Sequence, residues 1–305
     1  MARPPETRAG VADADLTGTT ALVTGSTSGI GREAALALGR LGADVIVHGR
    51  DERAGETGAA EIESAGADAQ FVRADFADVD SVRALAATVR EETDDLDLLL
   101  NNAGGLFREG RLTDLGVEYT FHVNHLGPYL LTAELLDLVP DGGRIVTTAS
   151  EAHRGGSLDL DAVTTVDSYS GLAAYSRSKL ANVLFTRELD RRLSAAGRDV
   201  TVTAVHPGAI PGSNFSRFLP GPAADVMKLL EAVPGVTSVD DGAAALLYAA
   251  VSQETAGVSG RYFAKQRSKT PSRAARDPNA ARRLWVRSAE LLDIEEPLAD
   301  AVATA

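Results

Sequence analysis

Short apolar runs recur along nearly the whole chain, each separated from the next by an amphipathic stretch. They are "TALVT" (20–24), "ADVIVH" (43–48), "AQFVRA" (69–74), "LDLLLNN" (96–102), "GRIVTTAS" (143–150), "DVTVTAVHPG" (199–208) and "GRYFA" (260–264). They are apolar almost throughout rather than alternating, as strands are when both faces of a sheet are covered. The stretches between them carry helical spacing, as in Val79, Val82, Leu85, Ala86 and Val89 of the segment 78–92. Strand–helix alternation of this kind predicts an α/β fold, a doubly wound sheet that is mostly parallel and about seven-stranded. No internal repeat or low-complexity linker breaks the pattern. One domain over residues 15–292 is expected, with loose tails at 1–14 and 293–305. The Gly/Pro-rich stretch 206–225 is long for a plain connection, so a lid over a site is expected at about 209–235.

Composition narrows the function. The 305-residue chain carries a formal charge of −13, which argues against nucleic acid or an anionic membrane as its main partner. It has no Cys, so disulfides, thiol nucleophiles and thiolate metal sites are excluded. No run approaches the roughly 18 apolar residues of a membrane span, and the first residues lack the apolar core of a signal peptide. A cytoplasmic protein is the expectation, and the sequon Asn214-Phe215-Ser216 then carries no weight. Basic residues are nearly all Arg while Asp is abundant, a balance shared by salt-adapted and ordinary acidic bacterial enzymes. His122 and His125 are the close His pair, without the Asp/Glu company of a metal site, so no metal is expected.

The first strand runs into "LVTGSTSGIG" (22–31), with Gly25, Gly29 and Gly31 at the junction with the first helix and Ser26, Thr27, Ser28 and Ile30 among them. Glycines there let backbone approach a pyrophosphate seated at a helix N-terminus. The end of the second strand, where the adenosine ribose binds in such folds, reads Gly49-Arg50-Asp51. No carboxylate stands at the strand end to take a ribose 2′-hydroxyl, whereas the Arg50 guanidinium suits a 2′-phosphate. NADP(H) is therefore the expected cofactor, with NAD(H) the alternative because Asp51 lies one residue on.

With these motifs the chain resembles the short-chain dehydrogenase/reductase family, whose fold is a single Rossmann-type domain. T-G-x-x-x-G-I-G is met by Thr24, Gly25, Gly29, Ile30 and Gly31, and N-N-A-G by Asn101, Asn102, Ala103 and Gly104. Tyr175 and Lys179 meet Y-x-x-x-K, and Pro207-Gly208 the pair after the sixth strand. Stretches 123–132, 175–189 and 277–291 look more narrowly like its retinol-dehydrogenase and WW-domain-oxidoreductase branch.

The resemblance implies an oxidoreductase that exchanges hydride between NADP(H) and an alcohol, aldehyde or ketone. Tyr175 would be the general acid/base, and Lys179 would steady its phenolate and hold the nicotinamide ribose. Ser150 would orient the substrate oxygen, and Asn124 would hold a relay water. Asp75, with Phe76 beside it, matches the position that contacts adenine; Asn102, Ala103, Gly104, Pro207 and Gly208 would complete the cofactor site. A Thr usual after the Pro-Gly pair is absent, and Ser213 is the candidate substitute. Leu106, Phe107, Phe215, Phe218 and Leu219 are candidates for an apolar substrate pocket. The family also implies a homodimer or homotetramer paired through helices at about 113–138 and 174–196. A non-catalytic nucleotide sensor or scaffold on the same fold is the alternative.

Overall fold

The computed structural model describes residues 3–208, 210 and 237–303. Candidate residues Ser213, Asn214, Phe215, Ser216, Phe218 and Leu219, and nearly all of the expected lid, lie outside them.

The apolar runs form one sheet in the order β3-β2-β1-β4-β5-β6-β7-β8. Its strands are β1 (Thr20–Val23), β2 (Asp44–Gly49), β3 (Ala69–Arg73), β4 (Leu98–Asn101), β5 (Arg144–Thr148), β6 (Thr201–His206), β7 (Arg261–Ala264) and β8 (Arg267–Lys269). Pairing is parallel throughout except between β7 and β8. The chain winds outward from β1 to β3, then returns past β1 to β4 and winds the other way. The carboxyl ends of β1 and β4 therefore part company, and this switch point is where open α/β sheets bind ligands.

Helices cover both faces. Among the described residues the α-helices are α1 (Pro5–Ala9), α2 (Gly29–Arg40), α3 (Glu52–Ser64), α4 (Val79–Glu92), α5 (Tyr119–Phe121), α6 (Gly127–Leu135), α7 (Gly171–Ala195), α8 (Val239–Val251), α9 (Pro278–Leu292) and α10 (Ala299–Ala303). A π-helical turn, His122–Leu126, joins α5 to α6. One core lies between the sheet and α4, α6, α7 and α9, around Leu99, Leu130, Leu184 and Trp285. The other lies beneath α1, α2, α3 and α8, around Val23, Leu38, Ile62 and Leu246. Local sequence stops and starts these helices. Asp51, Asp78, Ser170 and Asp277 each accept a backbone N–H in the first turn of α3, α4, α7 and α9, and Ser238 and Asp241 form a reciprocal capping box on α8.

The structure departs from the sequence expectations at one sheet edge and at both ends of the chain. The sheet has an eighth strand, because "RSK" at 267–269 folds back antiparallel on β7. All three residues are exposed, so no apolar pattern announces them, and their charges suit a sheet edge that must not pair further. The N-terminal segment is docked rather than loose: α1 buries Ala9 and, just beyond it, Val11 against α2 and α8. Residues after 292 are held as well, since buried Arg192 of α7 donates to Glu296 and to the Pro297 carbonyl. The helix expected from about 113 starts at Tyr119, where the Glu118 carboxylate accepts from the Thr120 and Phe121 amides. Trp285 of α9 stacks on Phe185 of α7 at 5.7 Å, so α9 covers part of the helix expected to pair subunits.

Candidate active site

A cavity of about 530 Å³ opens along the carboxyl ends of the strands, from Arg50 and Asp75 at one end to Ser150 and Tyr175 at the other. Its floor is the glycine turn. Gly25 and Gly29 hold φ of 66° and 60°, conformations in which glycine alone avoids strain. A Cβ on Gly25 would sit 2.8 Å from the Ala103 Cα, and one on Gly31 would overlap the Gly25 carbonyl and the Asn102 side chain. Asn102 ties this turn to two strands: its amide group donates to the Thr24 carbonyl at 2.9 Å, and its oxygen accepts from Thr148 at 3.3 Å. Thr24 in turn accepts from the Asn102 and Ala103 amides.

His48, outside the expected set, and Ser26, within it, shape the same floor. His48 is buried, accepts from the Gly25 amide through Nδ1 at 3.2 Å, and its Nε2 lies 3.2 Å from the Ala74 carbonyl. That pairing fixes a neutral ring protonated at Nε2, and burial pushes its pKa down to about 4. The ring stacks on Phe76 at 4.7 Å, which explains how Phe76 comes to line the cavity. Ser26 is also buried and bonds the Val23 carbonyl at 2.6 Å, so its hydroxyl braces the turn.

The residues fit a dinucleotide. Ser28 begins α2 without any side-chain capping bond, so the first amides of α2 lack the cap that the neighbouring helices have and open onto a cradle floored by glycine. Arg50 follows β2 at the cavity's far end, its Nη1 3.2 Å from the Tyr119 hydroxyl and 3.6 Å from the Asp75 carboxylate. Asp75 also accepts from the Ala77 amide and so shapes the turn after β3.

At the other end, β5 delivers Ser150, whose hydroxyl accepts from the Ala152 amide and hydrogen-bonds the Tyr175 phenol. His153 holds the Ser150 carbonyl through Nδ1 at 2.6 Å and accepts from the Ser272 amide through Nε2. Tyr175 and Lys179 come from successive turns of α7, as their spacing requires. The Lys179 Nζ lies 5.7 Å from the centre of the Tyr175 ring and donates to the Thr148 carbonyl at 2.9 Å. Lys179 is only 3% exposed, and burial lowers its pKa to about 8. For Tyr175, burial raises the pKa and outweighs the opposing Ser150 bond.

Asn124 lies in the π-helical turn, fully buried, with its oxygen accepting from the Gly105 amide and its amide group donating to the Gly105 carbonyl and to Ser178. Both amide hydrogens are thus given to protein partners. Its side chain thereby braces the cavity wall. Ser178 was not among the expected residues, yet it is fully buried and passes a hydrogen bond on to the Tyr175 carbonyl at 2.8 Å. Pro207, Gly208 and Ile210 close the wall after β6, and Leu106, Phe107 and Val123 add apolar surface. The stretch 153–171 docks against this wall, with the Tyr169 hydroxyl donating to the Phe107 carbonyl at 2.7 Å. His122 and His125 are separately committed, to Thr113 and to Ser288.

A phenol, a hydroxyl and an ammonium thus gather at one end of a glycine-floored cradle that fits a dinucleotide. Residues 19–219 match the family model for short chain dehydrogenases. Human retinol dehydrogenase 13 is 40% identical over 299 residues, spanning 93% of this chain and 87% of that protein. Among solved structures, an uncharacterized protein from Mycobacterium paratuberculosis is 32% identical with a TM-score of 0.74, covering 93% of this chain and 97% of the other. A short chain dehydrogenase from Burkholderia cenocepacia, solved in complex with NADP, is 30% identical with a TM-score of 0.67 over 82% of this chain and 96% of its own. The chain belongs to the short-chain dehydrogenase/reductase family, within its retinol-dehydrogenase-like branch.

Proposed function

We propose that the chain interconverts an alcohol with its aldehyde or ketone using NADP(H), with Tyr175 as general acid/base. The observation that carries this reading is the Ser150–Tyr175–Lys179 cluster at one end of a cavity whose floor is the open glycine turn. When bound, the nicotinamide supplies or accepts the hydride at the reacting carbon. In reduction, Ser150 and Tyr175 hold the carbonyl oxygen, and the Tyr175 hydroxyl gives its proton to that oxygen, leaving phenolate. In oxidation the phenolate takes the proton back. The chain's own field holds the phenol high, so a usable base needs added positive charge nearby, from Lys179 and from the oxidised nicotinamide ring.

The bond of Lys179 to the Thr148 carbonyl and the helix turn that Ser178 and Asn124 brace support this role. Arg50 supports NADP(H) over NAD(H): it is an exposed guanidinium at the cavity's ribose end, and its carboxylate neighbour Asp75 is 3.6 Å away and follows β3, not β2. Apolar Leu106, Phe107, Val123 and Ile210 suit a lipophilic substrate, in keeping with the retinol dehydrogenase name of the relatives.

The test is a screen for oxidation of NADPH over aldehydes and ketones of graded size and polarity, followed by Tyr175→Phe on the best substrate. We expect a loss of at least about 100-fold in kcat with NADPH affinity kept. Turnover unchanged in Tyr175→Phe overturns the mechanism.

A further inference from the structure

The chain's first helix lies far in sequence from the cleft but is bonded to the element that forms its wall. The Arg8 guanidinium donates to the Asp241 carboxylate at 2.6 Å and to the Ser238 hydroxyl at 3.1 Å, and reaches Asp240 at 3.3 Å. These three residues are the cap and first turn of α8. On its other sides α1 is fixed too: Glu6 takes a two-pronged bond from Arg40 of α2, both arms at 2.9 Å, and the Arg8 carbonyl accepts from Gln266 at the β7–β8 turn. α1 thus spans α2, α8 and the sheet edge.

The first turn of α8 presses directly on cleft residues. A Cβ at Gly208 would meet the Thr237 methyl at 2.5 Å, and one at Gly242 would meet Ile210 at 2.5 Å and Ile30 at 3.0 Å. Gly208, Ile210 and Ile30 all line the cavity, and Ile30 belongs to the glycine turn. No room for even a methyl group is left between these elements, and packed interiors do not absorb a displacement. We propose that Arg8 is a positioning residue: by locking the capping box of α8 it sets Thr237 and Gly242, and through them the wall and floor against which the dinucleotide is held. The inference rests on the dinucleotide-binding reading above.

The test compares Arg8→Ala, Arg8→Lys and Arg90→Ala, the last breaking an ion pair to Asp137 that has no link to the cleft. NADPH affinity is measured by calorimetry well below the melting temperature, where a general loss of stability leaves the folded population unchanged. Arg8→Ala should weaken NADPH roughly 5- to 10-fold, the scale of one lost charge-assisted anchor. Arg8→Lys, which keeps a single contact, should recover part of it, and Arg90→Ala should bind as the parent does. Affinity within about 2-fold of the parent in Arg8→Ala, or an equal loss in Arg90→Ala, overturns the proposal. Hydrogen exchange without cofactor provides an independent arm: faster exchange in Arg8→Ala should extend from the Asp241 and Gly242 amides to Gly208 and Ile210. Exchange changes confined to α1 and the α8 cap overturn the coupling. Failure of the parent protein to bind NADPH would instead count against the functional reading, while the exchange result still decides the role of Arg8.

Discussion

Lys179 offers the sharpest test, because the proposed chemistry needs it and its burial is costly. Its ammonium is buried and bonded to one carbonyl, and its pKa falls from 10.5 to about 8 through burial. At about 1.4 kcal/mol per pH unit, that displacement means the charged form destabilises the fold by about 3 kcal/mol at neutral pH. Methionine matches the shape of the lysine stem, and the Thr148 carbonyl would still accept from Asn182 at 3.1 Å, so the substitution strands no polar group. Lys179→Met should therefore stabilise the protein at pH 7 by about 1–3 kcal/mol, a rise in Tm of about 2 °C per kcal/mol for a chain this long, while abolishing turnover. The pH dependence has a definite sign. Below pH 8 both folded and unfolded Lys179 carry the proton, and the penalty is fully present. Between about 8 and 10.5 the folded protein releases that proton first, the unfolded chain binds more protons, and the parent gains stability with rising pH. Thermal melts of parent and variant should therefore converge as pH rises from 7 to 10. A lower Tm in Lys179→Met at pH 7, or a gap between the two that stays constant over that range, refutes the reasoning.

The remaining predictions concern the cofactor and acid stability. Arg50→Ala should weaken NADPH by about 10-fold or more and leave NADH nearly unchanged, since a 2′-phosphate contact is charge-assisted; paired titrations of the two nucleotides check it, and equal losses would count against Arg50 as the phosphate ligand. Burial holds His48, His122 and His125 at pKa values of about 4, about 4 and about 3. Each stays neutral in the fold while its unfolded counterpart takes a proton below about 6.5, so stability should fall as pH drops from 6.5 toward 4. The slope approaches about 1.4 kcal/mol per pH unit for each histidine. Urea unfolding at pH 7 and pH 5 measures it, and unchanged midpoints would show that these rings are not buried neutral.

Which parts of this protein were legible beforehand follows from the range over which each signal acts. Apolar runs and the glycine turn are local and obligatory, since a parallel strand covered on both faces is apolar on both and a pyrophosphate cradle needs glycine where backbone must come close, so they appear in sequence at the position where they act. Tyr175 and Lys179 were readable for the same reason: their spacing is one helical turn. What escaped notice depends on meetings between distant segments. His48 ends a strand as any polar residue might, and its role is set by the Gly25 amide, the Ala74 carbonyl and the Phe76 ring. Ser178 sits beside Lys179 in sequence and looks like surface, but the π-helical turn carries Asn124 to it, and that bond turns a solvent-like serine into a brace for the Tyr175 backbone. β8 and α1 are too short and too polar to show a period, and exist because β7 and the α2–α8 face offer them partners. Asn124 shows a similar dependence on distant partners. Its family position implies a relay water, and its hydrogen-bond partners, Gly105 and Ser178, commit its amide hydrogens to bracing the wall. Residue type at a position is therefore a sound guide to which atoms gather in this cleft, and only their partners decide which of those atoms remain free to act.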